Sequence, residues 1–326
     1  MRRFLLVVLM ALAPVMAYAT GQEGDVMHVD GQTWSLLGRP VHQDSALYVA
    51  LRDHLPDNKV VSTANYDGFV CYWSLDGDWL VLDSVTYEIV NEESDMFEED
   101  YFLERSLPQE VMREVFKDYY IGNRIVATWV TDTLRVVQGE MLFYVHMGWN
   151  RHCEREMFIE VEKGHVANRE LYNNRVVVDG FDIERCTPEQ WSAFKNGFLP
   201  VLRKHFESDS TEKVYFEVGR CMVDSLGNLL DAELITQYKG KWEEFSNLFY
   251  ELRWHKEDYT ELELGRMQDS LDLLRREMRM DEFPELTQEF KRYLMSIKPW
   301  KVLYINGKYF TTLQHYGIPF SLKKEE

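Results

Sequence analysis

The chain has 326 residues, 55 of them acidic and 36 basic, for a formal net charge of −19 at neutral pH. That balance sets aside nucleic-acid binding, which relies on Lys and Arg to neutralise phosphates, and docking on anionic lipid. The length suffices for two cores of ordinary size, and an aromatic content of 14% suits well-filled cores or a stacking surface.

The first residues read MRRFLLVVLMALAPVMAYAT. Arg2 and Arg3 precede an apolar run from Phe4 to Met16, and Ala17-Tyr18-Ala19 fits the small-x-small rule of signal peptidase. The run is too short to cross a bilayer, which takes about 20 apolar residues. A cleaved signal over 1–19 is expected. The protein should then be exported, periplasmic or beyond, with no stable membrane insertion.

Residues 26–41 read as two short strands around Asp30-Gly31, and Asp44 should cap a helix over 45–55 that buries Leu47, Leu51 and Leu55. Two β-rich runs flank Asp76-Gly77 as a hairpin, with Trp79, Val81, Val85, Tyr87 and Ile89 on one face. An acidic loop follows at 91–100, without the ligand spacing of a calcium loop. Ser106-Leu107-Pro108-Gln109 has a capping-box pattern and should open a helix burying Val111, Met112, Val115, Phe116 and Tyr119. Strands resume after Gly122 and run to about residue 172. Val70, Trp73, Asp76 and Val81 recur 56 residues later as Val126, Trp129, Asp132 and Val137, a candidate duplication. Thr187-Pro188-Glu189-Gln190 opens a second capped helix, and the polar stretch 205–213 marks the expected domain boundary. The domains are thus 20–205 and 206–326.

Four cysteines are present: Cys71, Cys153, Cys186 and Cys221. Export permits disulfides and the chain length does not require them, so buried thiols and a bridged pair both stay open. His146, His152 and Cys153 would form a mixed nitrogen–sulfur metal site only with a further ligand, which no recognisable spacing supplies, so no metal is expected. Cys153 and His152, adjacent on a strand, point to opposite faces and cannot share a proton. No nucleophile elbow, zincin helix, P-loop or dinucleotide fingerprint occurs, and no cofactor is expected. Tyr66, Trp73, Asp76 and Trp79 gather around the Asp76-Gly77 turn, an aromatic and carboxylate combination suited to gripping a sugar ring. An undetected hydrolase using two of the many carboxylates is a further alternative.

In the second domain, 213–236 reads as strand, turn at Ser225–Asn228, and strand. Between 241 and 281 two helices are striped, one by Trp242, Phe245, Leu248, Phe249 and Leu252, the other by Leu264, Met267, Leu271, Leu274 and Met278. They read as an inserted helical hairpin, with a homodimer seam over 264–278 as the alternative. A helix from Pro284 carries Leu286, Phe290 and Leu294 on one face and stops before Pro299. Trp300 to Tyr304 is extended, Asn306-Gly307 turns, and a last strand runs from Tyr309 to Tyr316. The order is β-β-α-β.

Val214-x-Phe216-x-Val218, Asp224-x-x-Gly227-Asn228, Trp300, Gly307-Lys308 and the late Ile318-Pro319 resemble the C-terminal domain of TonB energy transducers. The likeness covers the second domain alone. Val302 stands where that family's proline follows the tryptophan, and about forty helical residues interrupt the pattern. The resemblance implies β-augmentation, in which the last strand pairs with an extended segment of a partner. Tyr309, Thr311, Leu313 and His315 would then present one side of that strand. The expectation is an α+β, exported, non-catalytic adaptor: a β-rich antiparallel first domain with a few amphipathic helices, then a TonB-C-like ββαβ domain with a helical-hairpin insertion, and a protein or peptide partner in the cell envelope.

Overall fold

The computed structural model describes residues 21–91, 93–94, 98, 101–144, 148–206, 213–239, 241–278, 284–313 and 316–322. The signal-like segment, most of the acidic loop, His146, most of the polar 205–213 stretch and His315 lie outside these residues. The fold is α+β, and the chain divides into two compact units, one ending at Asn174 and the other starting at Arg175.

Unit 1 is built on one large sheet. Its strands are β1 (Asp25–Val29), β2 (Gln32–Leu36), β3 (Val70–Asp76), β4 (Trp79–Val90), β5 (Phe102–Ser106), β6 (Tyr120–Ile121), β7 (Arg124–Val126), β8 (Asp132–Tyr144), β9 (Arg151–Glu162) and β10 (His165–Asn173). The order is β10-β9-β8-β2-β1-β3-β4-β7-β6, with β5 also on β4. Neighbours are antiparallel except β1 and β3, which run parallel. A further pairing of His165 with Trp79 joins β10 to β4, so seven strands form a ring. Asp30, at φ +50°, and Gly31, at φ +75°, make the tight turn between β1 and β2.

Met27, Trp34, Leu36, Trp73, Val136 and Ile159 point into one core, covered in part by helix α1 (Ser45–Asp53) and helix α2 (Gln109–Val115). The Asp44 carboxylate accepts from the amides of Ala46 and Leu47 and so caps α1, as its position predicts. Leu47, Leu51 and Leu55 are buried there.

Three local expectations change. The register between β3 and β4 shifts between Tyr72 and Trp73, a bulge that puts Leu80, Leu82 and Val85 in the core and leaves Trp79 on the outside. Helix α2 starts after Pro108 without a side-chain cap, because Ser106 is held in β5 opposite Thr86. Residues 127–131 lie outside any strand although Val70–Asp76 is β3, so the 56-residue spacing marks no repeated unit.

Unit 2 starts with β11 (Arg175–Val178) and helix α3 (Pro188–His205). The capping box of α3 is complete: Thr187 accepts from the Gln190 amide and the Gln190 side chain accepts from the Thr187 amide. Phe194, Phe198 and Leu202 of this helix pack with Phe216, Phe290 and Phe320. The helix therefore belongs to unit 2, and the polar stretch after it is a connection inside that unit.

The rest is β12 (Lys213–Val223), β13 (Leu229–Lys239), α4 (Trp242–Trp254), α5 (Glu261–Glu277), α6 (Pro284–Ser296), β14 (Val302–Ile305), β15 (Lys308–Phe310) and β16 (Tyr316–Ser321). Two three-stranded sheets result, β11-β14-β15 and β13-β12-β16. Helices α4 and α5 form the inserted hairpin, joined by Lys241 to Glu277 at 2.7 Å and by the Tyr259 hydroxyl donating to Glu251 at 3.0 Å. Leu271, Leu274 and Met278 are buried within the chain, the face that a homodimer seam would need.

Trp300 is fully buried in this second core, and its indole N–H donates to the Leu294 carbonyl at the end of α6. Its backbone N–H donates to the Gly227 carbonyl, and a side chain at Gly227 would run into Pro299 and the Trp300 carbonyl. The tryptophan and the distant turn glycine are thus two halves of one contact.

Candidate functional site

Strand alternation gives the sheet of unit 1 a second, outward face. Val26, Thr33, Ser35, Tyr72 and Thr86 alternate with the core residues of β1 to β4 and form the floor of a cleft of about 680 Å³. Segment 21–25 and residues 60–69 supply walls. Glu88 and Glu104 line one flank; Arg151 and Gln138 are also part of the lining.

The wall at 21–25 is fixed from beneath by a buried carboxylate. Asp25 is fully enclosed and accepts from the Trp73 indole N–H at 2.9 Å, the Cys71 amide at 3.2 Å and the Arg39 guanidinium at 3.4 Å. Burial pushes its pKa up to about 6, against the lowering pull of Arg39 and of the hydrogen bonds. Arg39 also donates to the carbonyls of Phe69 and Glu23 and to the Asn65 side chain, and pairs with Asp67 at 3.2 Å. One guanidinium thereby ties β1, the 65–69 loop and the start of β3.

Beyond the Arg151 end a second buried carboxylate organises the backbone. Glu156 is fully enclosed, and His152 Nδ1 donates to it at 2.8 Å, Arg135 Nε at 3.1 Å and the Cys153 amide at 3.2 Å. These donors hold its pKa below the ordinary glutamate value despite desolvation. Arg135 in turn donates to the Arg151 carbonyl, so Glu156 acts on the cleft through backbone placement. Arg151 itself donates to the Ser35 hydroxyl at 3.0 Å and the Gln22 carbonyl at 3.4 Å. No carboxylate lies within ion-pair distance of it among the described residues.

Glu88 and Glu104 sit directly opposite each other across β4 and β5. Like charges in that arrangement repel. The Tyr72 hydroxyl donates to Glu104 at 3.1 Å, and neither glutamate has a cationic partner among the described residues. The cleft can therefore hold a polar molecule by charge at its rim and by hydroxyl and amide hydrogen bonds along its floor.

No protein-family model, no curated protein and no solved structure matches this chain. Its chemistry has to be argued from its own residues.

Of the residues expected to grip a sugar, Trp73 is wholly inside the core and holds Asp25, while Tyr66 and Trp79 are exposed. Asp76 pairs with Arg124, and Trp79 meets His165 edge-on at 5.2 Å. Trp73 lies opposite Leu82 in an inward pair and Trp79 opposite Asp76 in an outward one, so alternation along the hairpin puts the two tryptophans on opposite faces and no shared aromatic platform forms.

On the expected final strand, Tyr309 is exposed in β15, whereas Thr311 and Leu313 are fully buried after it. β15 is the edge strand of one small sheet and the longer β16 that of the other, with Ile318 and Phe320 inward and Pro319 and Ser321 outward. All four cysteines are thiols; burial raises the pKa of Cys71, Cys153 and Cys221. Among the described residues no group of three His, Cys, Asp or Glu side chains converges as a metal site, and no helix is long and apolar enough to cross a membrane.

The cleft was not anticipated from sequence. One signal did exist: in DVMHV, Asp25 holds the inward phase with Met27 and Val29, and a charge on the buried phase of a strand marks a special environment. The pairing of Glu88 with Glu104 depends on a β4–β5 register that no local pattern discloses.

Proposed function

We propose that the protein is an exported adaptor whose unit 2 recognises an extended segment of a protein partner by strand addition along β16. The observation that carries this reading is the position of β16 in the order β13-β12-β16: it pairs with β12 through six residues and, among the described residues, with nothing on its other side. Its inward Ile318 and Phe320 are locked into the core, so the edge is presented on a rigid support. Pro319 has no N–H to give, which suits an edge position and limits indiscriminate pairing. An incoming strand would bond to the backbone of Gly317 and Ser321 and to the Pro319 carbonyl.

The test uses the full chain, isotopically labelled, titrated with a panel of extended ten-residue peptides and read by NMR. The expected result is saturable shifts of the Gly317 and Ser321 amides, with the Gly317 shift lost in Ser321→Pro, which removes a further edge donor at an exposed position. Peptide binding that leaves those two amides unmoved would overturn the reading.

A further inference from the structure

We propose that the cleft of unit 1 is a binding site for short peptides with free ends, the terminal carboxylate held by Arg151 and the terminal ammonium by Glu88 and Glu104. The inference is independent of strand addition at β16.

Three observations carry it. Arg151 is a half-buried cation without a carboxylate partner among the described residues, in a chain with a large excess of carboxylates. Its guanidinium reaches Ser35 and Gln22, both cleft-lining, and those two contacts leave donors for a ligand oxygen. Glu88 and Glu104 are apposed on β4 and β5 without a cation partner among the described residues, an arrangement that costs stability unless a positive group comes between them. The volume of about 680 Å³ suits a small ligand and lies within the usual range for such sites.

Length follows from the sheet. Ser35 on β2 and Glu88 on β4 are separated by the strands β1 and β3. Three strand spacings of about 4.8 Å give a charge separation of roughly 14 Å, before any offset along the strands. An extended chain covers about 3.3 Å per residue, which points to peptides of about four to six residues. Thr33, Ser35 and Thr86 on the floor and Gln22 in the wall offer hydrogen bonds to peptide groups without selecting side chains. Glu23, also in the wall, adds to the negative potential and disfavours acidic peptides.

Pentaalanine is the probe, with its N-acetylated and C-amidated forms, titrated into the full chain by calorimetry. The expected result is saturable binding of the free peptide, weakened roughly tenfold or more by blocking either end, about 1.4 kcal/mol per end. Arg151→Gln should abolish the penalty of amidation and leave that of acetylation. The double variant Glu88→Gln, Glu104→Gln should do the reverse, and Ser321→Pro should change neither. Because the end-blocked peptides act on unaltered protein, a folding defect in a variant does not remove the test. Absence of binding, or binding indifferent to both end groups, overturns the proposal, as does binding abolished by Ser321→Pro.

Discussion

Asp25 and Glu156 are both enclosed carboxylates, and their opposite pKa directions come from the donors around each. Asp25 has one guanidinium at 3.4 Å, two hydrogen bonds and complete burial, and desolvation dominates. Glu156 has a histidine, an arginine and an amide at 2.8 to 3.2 Å, and the donors dominate. The stability consequences have opposite signs. A carboxyl raised to about 6 in the fold, from 3.8 in the unfolded chain, holds its proton longer when folded. Its ionisation therefore destabilises unit 1 as pH rises from about 4 to 6, by a ceiling on the order of 3 kcal/mol. Glu156 contributes stability present above its unfolded value and lost as pH falls below it. The substitution Asp25→Asn should flatten the decline between pH 4 and 6 in urea denaturation, while the acid limb below 4.5 persists. An unchanged slope between pH 4 and 6 would show that Asp25 titrates normally. A charged residue on the inward phase of β1 made this site partly legible in the sequence. The sign of its shift was not, since Trp73, Cys71 and Arg39 come from positions far along the chain.

At the scale of elements, the capping signals succeeded where nothing competed for the capping residue. Thr187 is free to close its box on Gln190, but Ser106 is committed to β5, so the same pattern yields an uncapped helix. Alternation succeeded in β1 and β2 and failed in β4, where one bulge reverses the phase. The late Trp300 was legible as the start of an extended segment, because it follows a helix stop and precedes a turn. Its partner at the 224–228 turn was not, because seventy residues of hairpin and helix stand between them. Trp300→Ala should cost about 3–5 kcal/mol in chemical denaturation of unit 2, as large aromatic truncations do. A cost below about 1 kcal/mol would mean that the turn and α6 hold together without it.

For the molecule as a whole, the division after Asn174 has a direct experimental reading. The polar run 205–213 looks like a linker in composition, yet the aromatic helix before it fills the core behind β12 and β16. A fragment of 175–326 should therefore unfold cooperatively on heating, followed by near-UV circular dichroism. One of 206–326 lacks Phe194, Phe198, Leu202 and the strand β11, and should show no such transition. Cooperative melting of the shorter fragment would return the boundary to 205.

The ring of strands in unit 1 bears on how the chain behaves in a crowded compartment. The pair His165 with Trp79 closes that ring at one point, and among the described residues the rest of β10 has ladder pairing with β9 alone, on a strand that carries Arg169 and Glu170. Unit 2 has bare margins of its own among the described residues, on β13 and β16. The first carries Asp231 and Glu233 and the second Pro319, the residue types that resist unplanned growth of a sheet. Replacing Pro319 by a β-former would thus do more than alter a partner's grip: it would remove a guard against self-association.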